Sequence, residues 1–246
     1  MRVIILAGGK GVRLAPLTDV IPKPLVPIGG MPILEVVIRQ LRHYGLRHIT
    51  LAVGYMADLL QAYFQDGSKW GVEINYSYET EPMGTAGPLS LIPGLDATFI
   101  VMNADVLTDL NFQALVEYHK THTAVATVSA YERQVTIDLG VIVKDGDHHI
   151  KDYVEKPTTT HLVSMGVYVF EPGTLEFIKG AKYLDFPDLV KSLLGIGQTV
   201  NYYPFDGYWL DIGRHEDYAR AAEEFNQFRD QFHLWPDGPA KASPSS

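Results

Sequence analysis

Three glycines, an arginine and a lysine near the amino terminus are typical of a phosphate-binding site. Gly8, Gly9 and Gly11 follow a short apolar segment, and Arg13 and Lys23 come shortly after them. Glycine has no Cβ, so the backbone can turn sharply and approach a ligand closely. Successive exposed N–H groups in such a turn form a concave anion site. We therefore expect this segment to hold a phosphorylated ligand, a nucleoside triphosphate.

The spacing of these residues excludes two common phosphate-binding loops. The chain contains no glycine followed after four residues by Gly-Lys-Ser or Gly-Lys-Thr, so it has no P-loop. Leu14 stands where a dinucleotide-binding fingerprint that starts at Gly9 needs its third glycine. The alternative interpretation is an ordinary strand-to-helix turn with a surface lysine.

Two lysines precede prolines. Lys23 lies between two prolines, and Lys156 lies between Glu155 and Pro157. Proline pushes the preceding residue out of the helical region, so we expect an extended backbone at both lysines. A stiff backbone would aim the Lys23 amine at a phosphate. Glu155 beside Lys156 suits a sugar phosphate, because the acid accepts from hydroxyls and the amine meets the phosphate; a solvated pair is the alternative.

Two aspartates follow apolar segments. Asp105 comes after Ile100–Met102 and Asn103, and Asp211 comes after Leu210 and before a glycine. An acidic residue at the carboxyl end of a buried parallel strand points into the ligand crevice. Near phosphates it would bind Mg²⁺, which takes one or two carboxylates together with phosphate oxygens and water. Each aspartate could instead be a helix cap or a turn residue.

Residues 79–87 could recognise a nucleotide base. Gly84, Thr85 and Ala86 are small, so a flat base could lie against their backbone. Glu79 could accept hydrogen bonds from the edge of the base. Guanine offers two adjacent donors, whereas uracil and thymine offer one, and so the base stays open. The alternative interpretation is a plain acidic loop.

The composition is that of a globular chain with an acidic balance. The chain has 246 residues, 46% of them hydrophobic, which suits one large domain; we assign it to residues 1–234 and predict a disordered tail over 235–246. The net charge of −9 argues against nucleic acid as a partner. The absence of cysteine excludes disulfides and thiolate zinc sites. With no leader or membrane-length apolar run evident, we expect a cytoplasmic enzyme that binds no membrane.

Hydrophobic periodicity predicts alternating strands and helices in the first half of the chain and mostly strands in the second. Such an order implies a mixed, mainly parallel sheet between helical layers, with ligands near the carboxyl ends of the strands. The predicted strands are 3–7, 48–53, 72–78, 98–102, 124–131, 139–143, 149–155, 163–170 and 199–205. The predicted helices are 33–41, 56–64, 112–119, 175–178, 188–194 and 214–228, with a further apolar helix after residue 87.

Taken together, the motifs resemble the sugar-phosphate nucleotidyltransferases over nearly the whole chain, and most of all the mannose-1-phosphate and heptose-1-phosphate guanylyltransferases. The resemblance rests on the motifs at residues 8–13, 22–24, 81–87, 103–105, 155–157, 164–168 and 209–213. It implies a Rossmann-like α/β/α fold with an inserted sugar-binding lobe, and GTP as the favoured substrate. It also implies homo-oligomers, because relatives often form them.

The resemblance implies a role for each site residue. Arg13, Lys23 and Asp105 would be catalytic, and Asp105 and Asp211 would bind Mg²⁺. The nucleotide would contact Leu6, Ala7, Gly8, Gly9, Gly11, Arg13, Lys23, Glu79, Gly84, Thr85 and Asn103. The sugar phosphate would contact Asp105, Gly140, Glu155, Lys156 and Gly166. Ser164 replaces a usual asparagine and Leu139 a usual aromatic residue, which leaves the sugar open.

The predicted reaction is a direct displacement at the α-phosphorus of the triphosphate by an oxygen of the sugar 1-phosphate. It needs positioning and charge neutralisation rather than a covalent nucleophile. Two other classes of protein remain as alternatives: a glycosyltransferase, which also uses a metal aspartate, and a non-catalytic relative that senses nucleotide sugars.

Overall fold

A computed structural model describes residues 1–146, 148–180 and 182–234, so the tail predicted at 235–246 lies outside the described residues. The strands are β1 Arg2–Ala7, β2 Pro27–Ile28, β3 Met31–Pro32, β4 His48–Val53, β5 Glu73–Tyr78, β6 Phe99–Asn103, β7 Val106–Thr108, β8 Ala126–Thr136, β9 Gly140–Asp145, β10 His149–Glu155, β11 Thr158–Phe170, β12 Val200–Phe205 and β13 Trp209–Asp211. The α-helices are α1 Ile33–His43, α2 Ala57–Phe64, α3 Phe112–Thr121, α4 Phe186–Gly195 and α5 His215–Phe228.

The centre of the fold is a seven-stranded sheet with the order β12-β8-β11-β6-β1-β4-β5. Strands β6, β1, β4 and β5 pair in parallel, as do β12 and β8, whereas β11 runs antiparallel to both of its neighbours. Strand β1 lies between β6 and β4 and is apolar from Val3 to Ala7, because both of its faces are covered. The predicted mixed, mainly parallel sheet is confirmed.

Helices cover both faces of this sheet. Apolar side chains of α1, α2 and α3 pack on one face, and those of α4 pack on the other. A third apolar core joins the outer side of α1 to α5 and to strands β7 and β13. The predicted three-layer arrangement is therefore confirmed. Helix α5 packs beside β13 in the third core.

Strands β8 and β11 run past the edge of the sheet as a paired arm, with Thr136 opposite Thr158 near the far end. The hairpin β9–β10 follows this arm along the chain. We call residues 132–164 the lobe; it corresponds to the predicted insertion. Its large apolar side chains are 39–71% exposed at Val135, Ile137, Leu139, Ile142, Val143, Ile150, Tyr153, Val154 and Leu162.

Most predicted elements agree with the structure to within one or two residues, and β4 and β10 match at both ends. The short strands β2, β3, β7 and β13 were not predicted, and three differences among the predicted elements are larger. The arm of β8 and β11 is longer than predicted, and the helices expected after residue 87 and at 175–178 are 3₁₀-helices over Gly87–Leu91 and Pro172–Phe177. Pro93 explains the first short helix, because it holds Ile92 in the extended region. Within the described residues, no helix combines the length and the hydropathy needed to cross a bilayer.

A two-glycine turn connects β2 to β3 and fits closely against α5. Gly29 and Gly30 have φ angles of 58° and 85°, which glycine adopts at little cost. A Cβ on Gly29 would overlap the ring of Phe225, whereas a Cβ on Gly30 would meet nothing within 4 Å. Phe225 is fully buried in the core that also contains Leu210. The absence of a side chain at Gly29 therefore lets α5 pack beside β13.

This pair of glycines provides a matched test. Both Gly29→Ala and Gly30→Ala place a side chain at a positive φ, which costs about 1–2 kcal/mol. Only Gly29→Ala also displaces Phe225, and overpacking of this kind adds about 1–3 kcal/mol. We expect urea unfolding to show a larger loss of unfolding free energy for Gly29→Ala. Equal losses for the two variants would contradict this account of the turn.

Candidate active site

The glycine loop, residues 8–13, leaves β1 at the carboxyl edge of the sheet. Gly11 has φ 64°, and its carbonyl accepts hydrogen bonds from the Leu14 backbone N–H at 2.8 Å and the Thr18 hydroxyl at 2.9 Å. A Cβ at Gly11 would lie 3.0 Å from Thr18 Cγ2 and 3.1 Å from Lys23 Cβ. Since Gly11 lies this close to the stem of Lys23, the loop and the lysine form one surface.

Lys23 pairs with Asp105 through its Nζ and the aspartate Oδ2, and the two side chains are only 12% and 17% exposed. The extended backbone predicted at Lys23 is wrong. Lys23 begins a 3₁₀-helix, Lys23–Leu25, and the extended residue is Pro22, with φ −65° and ψ 144°. The ion pair, rather than a proline-stiffened backbone, therefore orients the amine.

Asp211 reaches the same place from a distant part of the chain. Strand β13 pairs with β7 so that Asp211 lies opposite Val106, and the Ile212 N–H donates to the Asp105 carbonyl at 3.0 Å. Burial, with the Asp105 carboxylate as the second cause, raises the pKa of Asp211 to about 6. The two carboxylates are thus close enough to repel each other.

Arg13 completes the charged centre, a name we use for Arg13, Lys23, Asp105 and Asp211. A Cβ placed on Gly213 would lie 3.3 Å from both Arg13 Nη1 and Asp211 Oδ2, so the guanidinium and the carboxylate flank this glycine. The charges of Lys23 and Arg13 oppose the rise in the pKa of Asp211. The structure therefore brings together two cations and two anions that the sequence places up to 198 residues apart.

The donor set suits a divalent cation. Among the described residues, the buried Asp105 Oδ1 accepts no hydrogen bond, so one carboxylate oxygen is available as a ligand. In the same part of the chain, no group of three or more His, Asp or Glu side chains could hold a metal. Two carboxylates alone match Mg²⁺, which fills its remaining positions with phosphate oxygens and water.

Glu79 lies against the glycine loop from the end of β5. Its N–H donates to the Val53 carbonyl at 2.8 Å, and a Cβ on Gly8 would overlap its carboxylate. Burial raises the pKa of Glu79, and a hydrogen bond from the Met83 N–H at 3.4 Å opposes that effect. The structure therefore places a half-buried acceptor beside the loop, as a base-binding role requires.

Gly84 and Thr85 contact the segment that precedes α4. Gly84 has φ 79°, and a Cβ there would lie 2.5 Å from the Leu184 carbonyl oxygen. The Thr85 hydroxyl accepts a hydrogen bond from the Phe186 N–H at 2.9 Å and donates to Asp185 at 3.2 Å. The side chain of Thr85, which was predicted to contact the nucleotide, is therefore bonded within the protein.

Asn103 meets Gly166, which was predicted to bind the sugar phosphate. Gly166 has φ 73°, and a Cβ there would lie 2.6 Å from Asn103 Nδ2. Next to it, the Ser164 hydroxyl donates to the Tyr168 hydroxyl at 3.0 Å and accepts from the Gly166 N–H at 3.3 Å. The serine that replaces the usual asparagine is thus engaged within the protein.

The lobe brings together only some of the other residues that were predicted to bind the sugar phosphate. Strand pairing places Gly140 opposite Glu155, and the Tyr153 side chain covers Gly140. Lys156 pairs with Asp138 at 2.6 Å, with the side chains 55% and 83% exposed, and not with Glu155. The extended backbone predicted at Lys156 is wrong: its φ is 46°, in the left-handed region.

Three residues that support the site were missed by sequence reasoning: Thr18, Asp138 and Asp185. Thr18 holds the Gly11 carbonyl, Asp138 holds Lys156, and Asp185 accepts from Thr85. Asp138 lies one residue before the predicted strand at 139–143, and this position beside a strand end could have marked it as a candidate. Nothing in the local sequence marks Thr18 or Asp185.

Comparison with known proteins agrees with this geometry. The family model described as Nucleotidyl transferase matches residues 2–227. The chain belongs to the nucleotidyl transferase family. It is 36% identical over 224 residues to the mannose-1-phosphate guanylyltransferase catalytic subunit beta of Drosophila pseudoobscura pseudoobscura, a match that covers 88% of this chain and 60% of the relative.

The name of a second relative indicates a different base. The UTP–glucose-1-phosphate uridylyltransferase of Synechocystis sp. is 34% identical over 241 residues, which cover 90% of this chain and 62% of the relative. The chain thus spans about three fifths of the length of these two members of the nucleotidyl transferase family.

Two solved structures share the fold. A Bacillus anthracis protein described as a glucose-1-phosphate thymidylyltransferase, in complex with sucrose, has a TM-score of 0.74 and 26% identity, with 94% of this chain and 98% of that chain covered. HddC from Yersinia pseudotuberculosis in complex with GMP-PN has a TM-score of 0.69 and 27% identity, with 91% and 99% covered. These matches agree with the predicted nucleotidyltransferase fold.

The raised pKa of Asp211 predicts how stability depends on pH in this nucleotidyl transferase. Between the unfolded value of 3.8 and the folded value of about 6, the folded protein binds the proton more tightly. The carboxyl group therefore contributes stability at low pH that is lost as the pH rises through about 6, by up to about 3 kcal/mol.

We expect Asp211→Asn to gain stability relative to the parent protein as the pH rises from 4.5 to 7.5 in buffer with a metal chelator. Urea unfolding at several pH values measures this difference, and the amide cannot ionise, so it serves as the reference. A difference in unfolding free energy that stays constant with pH would contradict the raised pKa of Asp211.

Proposed function

We propose that this chain transfers a nucleotidyl group from a nucleoside triphosphate to a sugar 1-phosphate and releases pyrophosphate. The observation that carries the proposal is the charged centre beside the glycine loop, at the carboxyl edge of the sheet. The names of the relatives support it, since both are sugar-1-phosphate nucleotidyltransferases. The matches cover 62% and 60% of these relatives, so the proposal concerns the matched region.

In the proposed reaction, an oxygen of the sugar 1-phosphate attacks the α-phosphorus of the triphosphate. One P–O bond forms, the bond between the α-phosphorus and the bridging oxygen breaks, and pyrophosphate leaves with the electron pair. The attacking phosphate is already ionised near pH 7, so no general base is needed. The residues of this chain act by holding the reactants in line and by neutralising charge.

Lys23 and Arg13 supply that charge. In the free protein Asp105 holds the Lys23 amine, and the aliphatic stem of Lys23 lies against Gly11, where the triphosphate would bind. The net charge of −9 disfavours anionic substrates. Lys23 and Arg13 can still attract phosphates, because the negative charges that lie farther away than about 8–10 Å are largely screened at physiological salt.

Mg²⁺ is the proposed cofactor, held by Asp105 and Asp211. The Asp105 oxygen that accepts no hydrogen bond among the described residues and the repulsion between the carboxylates both favour a divalent cation. When bound, Mg²⁺ would neutralise phosphate charge. The carboxylates of this chain position that charge next to Lys23 and Arg13.

The base proposed is guanine, so the triphosphate is GTP. Glu79 offers two carboxylate oxygens beside the glycine loop, and guanine offers two adjacent donors to match them. UTP is the second candidate, because the Synechocystis relative is named as a uridylyltransferase and uracil offers one donor to the same acceptor. Mannose 1-phosphate is the proposed sugar substrate, by analogy with the guanylyltransferase relative.

The proposed setting is the cytoplasm, with no nucleic acid or membrane as partner, and the proposed assembly is a homo-oligomer. The exposed apolar side chains of the lobe support association, since exposed apolar patches of this kind mark interaction surfaces. Light scattering of the purified chain measures the assembly, and a monomer at every concentration would exclude it. Cell fractionation tests the location.

A substrate screen tests the proposed function. We expect pyrophosphate release when GTP and mannose 1-phosphate are combined with Mg²⁺, and weaker release with UTP, dTTP or CTP or with glucose, heptose or amino-sugar 1-phosphates. No release with any pair would refute the proposal. Hydrolysis of a finished nucleotide sugar would favour a glycosyltransferase, and tight binding of one without turnover would favour a sensing protein.

Single substitutions test the charged centre. We expect Lys23→Ala and Asp105→Asn each to lower kcat by about 10²–10³, the usual loss when one preorganised electrostatic contact is removed. Lys191→Ala is the control, because this exposed lysine on α4 pairs with Asp188 at 3.7 Å and is no part of the proposed site. Circular dichroism confirms that the variants fold. Turnover near that of the parent in both site variants would defeat the assignment.

A further inference from the structure

We propose that Asp185 is a positioning residue that holds the base loop, residues 79–87, in the shape that selects the nucleotide base. The proposal rests on the proposed function, since the loop selects a base only if a nucleotide binds there. Asp185 lies at the start of α4, about one hundred residues after the loop it holds. It contacts the loop and would not touch the substrate itself.

Asp185 and Thr85 are joined by a double interaction. Asp185 Oδ1 accepts a hydrogen bond from the Thr85 N–H at 2.9 Å and another from its hydroxyl at 3.2 Å. The same hydroxyl accepts from the Phe186 N–H at 2.9 Å. One carboxylate oxygen therefore fixes both the backbone and the side chain of Thr85.

The backbone on either side of Thr85 is held by Leu184. The Leu184 carbonyl accepts from the N–H groups of Ala86 at 2.8 Å and Gly87 at 3.1 Å, and the Leu184 N–H donates to the Met83 carbonyl at 2.9 Å. Gly84 lies so close to the Leu184 carbonyl that a side chain would not fit. The loop thus takes its shape from the segment before α4.

The helix cap gives an independent reason to assign this role to Asp185. Asp185 is the N-cap residue of α4, a position where aspartate normally accepts a hydrogen bond from an N–H of its own helix. Its side chain makes no such bond and turns to Thr85 instead. The Thr85 hydroxyl accepts from Phe186, the first residue of α4. The aspartate therefore serves the loop rather than its own helix.

Different elements hold the two sides of the proposed base pocket, and Met83 lies between them, because its N–H donates to the Glu79 carboxylate at 3.4 Å and its carbonyl accepts from Leu184. Glu79 is held by the end of β4 through its N–H bond to Val53 at 2.8 Å. The opposite side, Gly84 to Ala86, is held through Leu184 and Asp185. A site discriminates strongly only when its polar groups and its backbone are held close to the geometry that matches one ligand. The loss of Asp185 would loosen the side at Gly84 to Ala86, whereas the backbone of Glu79 stays bonded to Val53.

The test compares Asp185→Ala with Asp185→Asn and with Asp188→Ala. We expect Asp185→Ala to raise KM for GTP about tenfold, the effect of losing roughly one net hydrogen bond to the loop. The ratio of kcat/KM for GTP over UTP should fall by a similar factor. KM for the sugar 1-phosphate and kcat at saturating GTP should stay near those of the parent. Asp185→Asn should restore most of the ratio, because its amide oxygen still accepts from Thr85.

Asp188→Ala is the matched control, because it also removes a carboxylate from the first turn of α4 but makes no bond to the loop. We expect it to leave the ratio unchanged. Hydrogen exchange at residues 83–87 should rise in Asp185→Ala and stay unchanged in Asp188→Ala. Unchanged discrimination in Asp185→Ala, no rescue by asparagine, or an equal rise in KM for both substrates would overturn the assignment.

Failure of the proposed function has a different signature. If the parent protein releases no pyrophosphate with any substrate pair, the proposed function fails, and the dissociation constants for GTP and UTP replace the kinetic ratio. A parent that prefers one nucleotide and loses that preference in Asp185→Ala still supports the role of Asp185. A parent that binds neither nucleotide overturns both proposals.

Discussion

The ion pair between Lys23 and Asp105 is the interaction on which the candidate site depends. Its two side chains are nearly buried, and a buried charge needs a partner because desolvation disfavours it. The pair draws the loop after β1 and the end of β6 into contact. It also leaves the carboxylate of Asp211 beside that of Asp105, where burial and repulsion raise the pKa of Asp211. The free protein thus holds two carboxylates side by side at the place where a cation and phosphates would bind.

The scaffold delivers these groups by short connections from a rigid sheet. Asp105 follows β6 at the middle of the sheet, and β7 lies directly after it. The pairing of β7 with β13 then places Asp211 near Asp105, because the N–H of the next residue, Ile212, donates to the Asp105 carbonyl. Behind β13, the core of α5 and α1 excludes water from the outer side. The lobe differs, because its arm and hairpin are largely exposed. Of its residues that were predicted to bind the sugar phosphate, Lys156 pairs with Asp138 and not with Glu155.

The two sides of the proposed base pocket are connected to different layers of the fold. Glu79 follows β5 and its backbone is bonded to the end of β4, whereas Gly84 and Thr85 are held by the segment that starts α4. The Thr85 hydroxyl in turn accepts a hydrogen bond from the first residue of α4, so the loop and the helix stabilise each other. Recognition of a base would therefore depend on how the helical layer packs on the sheet, as well as on the residues that touch the nucleotide.

Local patterns were sufficient to predict the order of the longer strands and helices and to single out the glycine loop, the two aspartates and Glu79 as candidates, because periodicity, turn preferences and motif spacing act over a few residues. They missed the short strands, among them the β7 and β13 pair that positions Asp211. The same local reasoning was wrong about the backbone at Lys23 and Lys156, where neighbouring elements outweigh the effect of the following proline. The meeting of Asp105 with Asp211 was implied by the family resemblance and not by any local pattern, and the hold of Asp185 on Thr85 came only from the folded chain. Such contacts depend on strand register and on helix packing across one hundred residues, and no short stretch of sequence encodes either.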